Sequence, residues 1–131
     1  MYKTLRNFWE AVVWAGIIII LSSASFNNVK DIASKFEHMD KIVHFAMYFG
    51  FMFFLLWGYK KSHTHLKTKQ ILISFAIAVV FGVLMELLQY LFMKERTGDI
   101  YDELANFSGV LFAILLFKPL ANKLKILYRN L

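Results

Sequence analysis

Four apolar stretches, each close to the length of a bilayer crossing, constrain this chain before any single residue does. They run over residues 8–24, 42–59, 71–93 and 104–120, between segments rich in Lys, Asp, Glu and Ser. A helix rising 1.5 Å per residue needs about 20 residues to cross the hydrocarbon, with about 17–25 as the working range. All four stretches reach it. Transmembrane β-strands are shorter and alternate, and a run such as GIIIIL at 16–21 does not alternate. Composition agrees, because 59% of the 131 residues are hydrophobic, more than a soluble domain usually carries. The pattern predicts an all-α integral membrane bundle of four transmembrane helices, forming one domain over residues 1–131.

A formal charge of +6 raises the question of a nucleic-acid partner, so the placement of charge matters. With a cytoplasmic N-terminus, four crossings also leave the C-terminus cytoplasmic. The inner segments then hold Lys3, Arg6, Lys60, Lys61, Lys67, Lys69, Lys118, Lys123, Lys125 and Arg129. That is 10 basic residues inside against 5 outside, the asymmetry of the positive-inside rule. Asp31, Glu37, Asp40, Glu95, Asp99, Asp102 and Glu103 all fall outside. The positive charge reports orientation in a cytoplasmic membrane and contact with anionic headgroups. A nucleic-acid partner is not expected. The absence of cysteine excludes disulfides, thiol nucleophiles and thiolate metal ligands.

The basic start and small residues of the first stretch also resemble a signal peptide. The run from Trp9 through Leu21, extended by Phe8 and the serines, is long enough to remain as a span, and retention is the expectation.

Glu86, inside GVLMELLQYLF, is the residue this architecture least easily accommodates. A carboxylate at the bilayer centre costs about 2.5–3.5 kcal/mol on insertion scales. Seven residues before Met93, it sits roughly 10 Å below the outer end of its helix. Ala78, Gly82, Glu86, Gln89 and Met93 form one stripe, polar towards the outer end and small below. Asp99, Asp102, Asn106, Gly109 and Ala113 repeat the design in mirror order. Antiparallel packing of these two helices predicts Glu86 and Gln89 opposite Asp102 and Asn106. Asp40, a predicted N-cap, heads a third stripe with His44 and Tyr48. Three helices thus bring polar groups to one level on one side, which predicts an outward-facing polar pocket.

Each element has a plainer explanation. Asp40 and Asp99 serve as helix caps, Gln89 and Asn106 as links between helices, and the Gly/Ala positions as packing surfaces. Glu86 could pair structurally with Arg96 or Lys41. His63 and His65 lie in a cationic inner loop and are expected to be solvated.

DKIVHFAMY, GVLMELLQ and RTGDIYDELANFSG, in that order, resemble the VanZ-like membrane protein family. The resemblance covers nearly the whole chain. It picks out Asp40, Lys41, His44, Phe45, Tyr48, Glu86, Gln89, Arg96, Asp99, Asp102, Asn106 and Gly109. A glycine frequent in the family four residues after Gly109 is Ala113 here. The resemblance implies the four-helix architecture in a bacterial membrane and a link to teicoplanin-type glycopeptide resistance. It supplies no mechanism.

Two classes of function remain. In the first, a non-enzymatic envelope protein binds a lipid headgroup or a lipidated molecule at the outer face, with membrane lipids, a lipid-linked envelope precursor or a lipoglycopeptide as partners. Asp40, Lys41, His44, Tyr48, Glu86, Gln89, Arg96, Asp99, Asp102 and Asn106 would line the site, with Lys41 and Arg96 meeting an anionic group. In the second, His44, Glu86, Asp99 and Asp102 hold a divalent cation or act as acid and base on a polyprenyl-phosphate type substrate. Glu86, Asp102 and His44 are then the catalytic candidates. The first class is favoured, with no cofactor required. Ala11 and Ala15, or Ala46 and Gly50, offer close-packing faces to a homodimer.

Overall fold

The computed structural model describes residues 6–23, 39–63, 65–92 and 100–129, with side chains through Lys125. Four helices fill these segments: α1 (Trp9–Ser23), α2 (Met39–Ser62), α3 (Thr68–Phe92) and α4 (Ile100–Arg129). Among the described residues there is no strand, and the all-α expectation holds.

Local signals account for the helix ends. At the start of α3 the Gln70 side chain accepts from the Lys67 backbone N–H at 2.9 Å, the returning half of a capping box. Lys60 and Lys61 occupy the last turn of α2, where cations offset the exposed carbonyls. Asp102 and Glu103 stand in the first turn of α4, where the dipole favours anions. Pro119 cannot donate to the carbonyl one turn back, yet α4 runs through it to Arg129. The basic segment after Pro119 is therefore a continuation of α4.

At 1.5 Å per residue, α2 and α3 extend roughly 36 and 37 Å over their 24 and 25 residues. Together with α4 through Lys125, they are long and apolar enough to cross a membrane. α1 is the most apolar of the four described helices, but its 15 residues reach only roughly 22 Å. The side-chain distribution of α3 decides the solvent. Its buried face is Gln70, Ser74, Ala78, Gly82, Met85 and Gln89. Leu72, Val80, Val83, Leu84, Leu87 and Leu91 are exposed. Small and polar inside, large and apolar outside, is the reverse of a water-soluble helix and fits a lipid solvent. This is a membrane protein.

α2 is the hub, and its most extensive partner is α4. Gly109 makes that contact close, because a Cβ there would collide with the Phe45 carbonyl oxygen and stand 2.9 Å from the Phe49 nitrogen. Tyr48, Met52, Leu56, Val110, Ala113 and Phe117 fill the space along it. α1 lies on the other side of α2, with the Trp14 ring over Gly50 and the Phe8 ring over Gly58. Trp14 Nε1 donates to the Met47 carbonyl at 2.8 Å, and Lys61 Nζ meets the Glu10 carboxylate at 2.6 Å. Of the close-packing positions expected to suit a second copy, Ala11 and Gly50 are engaged within the chain, whereas Ala46 is exposed.

Candidate functional site

The start of α2, the end of α3 and the start of α4 meet at one end of the bundle, and the polar residues of all three converge there. Helical spacing sets the α2 set: Asp40, His44 and Tyr48 follow one another by single turns. Lys41 reaches sideways to α4, placing Nζ 2.8 Å from Asp102 Oδ1 and 3.9 Å from Asp40 Oδ2. Exposure falls with depth. The Asp40 side chain is 46% exposed, Lys41 33% and His44 5%, so the cluster opens towards the bundle end and closes below.

His44 has two distinct sides. Its Nδ1 lies 3.0 Å from Asn106 Oδ1 and 3.9 Å from Glu86 Oε1. Its Nε2 lies 3.8 Å from Asp40 Oδ1 and 3.9 Å from Asp102 Oδ2. Asn106 Nδ2 in turn donates to Glu103 Oε2 at 3.2 Å. A carboxylate only accepts, so the amide must turn its NH₂ to Glu103 and its oxygen to His44. That oxygen accepts only from a protonated Nδ1. One carboxylate oxygen each from Asp40 and Asp102 and a ring nitrogen of His44 lie within 4.8 Å of one another, the spread of a three-ligand metal set.

The structure brings together most of the residues that the sequence singled out. Asp40, Lys41, His44, Glu86, Asp102 and Asn106 share this cluster. Tyr48 lies one turn deeper and almost fully buried, its ring beside Gly82. Gln89 departs from its expected place: its Nε2 donates to the Ser22 carbonyl of α1 at 3.1 Å instead of facing Asn106. The physical reason is that α4 lies mainly on α2, leaving the Gln89 side of α3 to α1. Arg96 and Asp99 fall outside the described residues. His63 and His65 are exposed, as expected of a solvated loop.

Sequence reasoning counted Glu103 only among the outer acids and left it out of the site. The structure turns its carboxylate inward, over Gly82 of α3, where a Cβ would stand 3.5 Å from Glu103 Oε1. Two signals pointed to it. Glu103 is three residues before Asn106, on the same helix face, and the glycine opposite leaves space for a long side chain.

A family model described as VanZ/LLP1 matches residues 2–124. The chain belongs to the VanZ/LLP1 family. That match covers all three polar segments, so the cluster lies within the VanZ/LLP1 region and not on an appended segment. Comparison with curated proteins and with solved structures finds no match.

Proposed function

We propose that this VanZ/LLP1 protein is a non-enzymatic component of a bacterial cell envelope, and that its polar cluster receives the headgroup of a membrane lipid or lipidated molecule. The distribution of basic residues supports a cluster facing the outer side of the cytoplasmic membrane. The observation that carries this reading is the gradient at the bundle end. Half-exposed Asp40 and Lys41 stand at the mouth, and buried His44, Asp102 and Asn106 lie below them. Polar groups at that depth are held at a cost that caps and surface charges do not incur. The carboxylates suit a headgroup bearing hydroxyls or an amine, and Lys41 suits the phosphate joined to it.

Occupancy of such lipids would change how a lipid-bearing glycopeptide reaches its lipid-linked target. This is the route by which the protein would contribute to teicoplanin-type resistance. The test is native mass spectrometry of the full chain released from membranes in excess chelator. Lipid enriched over the bulk membrane, and lost in Lys41→Ala and Glu86→Gln, is the expected result. Bulk composition on the wild type, or equal enrichment in the variants, rejects the reading.

A further inference from the structure

We propose that Asp40, His44 and Asp102 form a site for one divalent first-row transition ion, with Asn106 and Glu103 setting the histidine for it. The ion would lie between His44 Nε2, Asp40 Oδ1 and Asp102 Oδ2. The nitrogen stands 3.8 and 3.9 Å from the two oxygens. Those separations are too long for hydrogen bonds. They are close to the roughly 3.4 Å that separates two ligands about 2.1 Å from a tetrahedral ion. Closing the difference takes a shift of roughly 0.5 Å by each carboxylate oxygen.

The independent observation is the geometry around the histidine. Glu103 fixes the Asn106 amide, and Asn106 Oδ1 takes the Nδ1 proton at 3.0 Å. In the neutral ring, this leaves Nε2, on a side chain only 5% exposed, as a lone pair between the two carboxylates. Acceptor facing acceptor is unfavourable in a medium of low polarity, and a bound cation turns all three groups into ligands. An Nδ1–H donated to an amide or carboxyl oxygen is the usual outer partner of a metal-bound histidine. Lys41 fits the same scheme. It engages Asp102 Oδ1 at 2.8 Å and leaves Oδ2 directed at the histidine.

One imidazole with two carboxylates suits Zn²⁺, Mn²⁺ or Fe²⁺ better than Mg²⁺ or Ca²⁺, which prefer an all-oxygen set. Three protein ligands leave a position open at the mouth. The set differs from the one expected from sequence. Of His44, Glu86, Asp99 and Asp102, Glu86 lies on the Nδ1 side of the ring and Asp99 outside the described residues, and Asp40 enters the set.

The test uses the full chain in lipid-free detergent micelles, stripped with chelator and titrated with Co²⁺, then with Zn²⁺ as competitor. One Co²⁺ per chain, with visible ligand-field bands displaced by Zn²⁺, is expected. His44→Gln and Asp102→Asn should abolish the bands. Asp40→Asn, which keeps the size of the half-exposed side chain and a capping oxygen, should weaken binding at least tenfold. Asn106→Leu should keep the bands and weaken binding about 10–100-fold. His63→Gln combined with His65→Gln should bind like the wild type. A wild type without stoichiometric binding overturns the proposal, as does full affinity in Asp40→Asn or loss of binding in the His63/His65 variant. The site is shared with the lipid reading but the ligand is not. Titration runs without lipid and lipid enrichment is measured in chelator, so either can fail alone.

Discussion

Lys41 Nζ of α2 stands 2.8 Å from Asp102 Oδ1 of α4, and this ion pair spans the most extensive contact among the described helices. Asp102 is the more buried partner, at 11% side-chain exposure against 33% for Lys41. Removing the lysine therefore leaves a carboxylate without its cation in a poorly solvating place. Lys41→Met is expected to destabilise the bundle by about 2–3 kcal/mol, below the value for a fully buried pair because Lys41 remains partly in contact with water. Replacing both residues, with Lys41→Met and Asp102→Leu, should recover much of that loss. Thermal unfolding in detergent, run as a double-mutant cycle, measures the coupling. Additive losses would show that the pair contributes nothing of its own.

Gly109 and Gly16 make a matched pair for testing helix approach. A Cβ on Gly109 meets the backbone of Phe45 and Phe49, which cannot rotate away, whereas a Cβ on Gly16 meets nothing within 4 Å. Gly109→Ala should force α2 and α4 apart and lower stability by about 2 kcal/mol or more, in the range of strained core substitutions. Gly16→Ala should lie within about 1 kcal/mol of the wild type, on the stabilising side through helix propensity. Melting temperatures of the two variants in one detergent decide it. Equal values would mean that α2 and α4 do not approach through Gly109.

The contrast between these glycines shows which parts of the molecule were legible in the sequence. Apolar length alone predicted the helices, because a bilayer leaves a chain few ways to satisfy its backbone. The inward turns of His44, Asp102 and Asn106 followed from three- and four-residue spacing. Spacing says which residues share a face, but not which neighbour that face meets. Spacing therefore pairs Gln89 with Asn106, whereas Asn106 meets His44 of α2 and Gln89 bonds to Ser22 of α1. Glu103 counted in the sequence only as an outer-side acid, because its position in α4 does not show what it meets. Its inward turn depends on Gly82, on a different helix.

Gln89 is expected to behave as a tie between helices and not as part of the pocket. Its Nε2 reaches the Ser22 carbonyl at 3.1 Å, on the α1 side of α3. Interhelical hydrogen bonds in membranes contribute about 0.6 kcal/mol on average and at most about 1.7. Gln89→Leu should therefore lower the unfolding temperature only slightly and speed proteolysis of α1. Metal affinity in micelles should not change. A large loss of affinity in this variant would put Gln89 inside the site after all.

Orientation can be read from two positions, because the chain has no native cysteine. Thr97 falls in sequence between α3 and α4, and His65 lies exposed between α2 and α3. A membrane-impermeant maleimide applied to intact cells should label Thr97→Cys and spare His65→Cys, matching 10 basic residues on the inner side against 5 on the outer. Disrupting the cells should make His65→Cys reactive, which controls for accessibility. The reverse pattern would turn the mouth formed by Asp40 and Lys41 to the cytoplasm. The headgroup would then come from the inner leaflet, and a direct effect on an externally acting glycopeptide would be excluded. The ion site would survive that reversal, since it depends on distances among Asp40, His44 and Asp102 and not on the side they face.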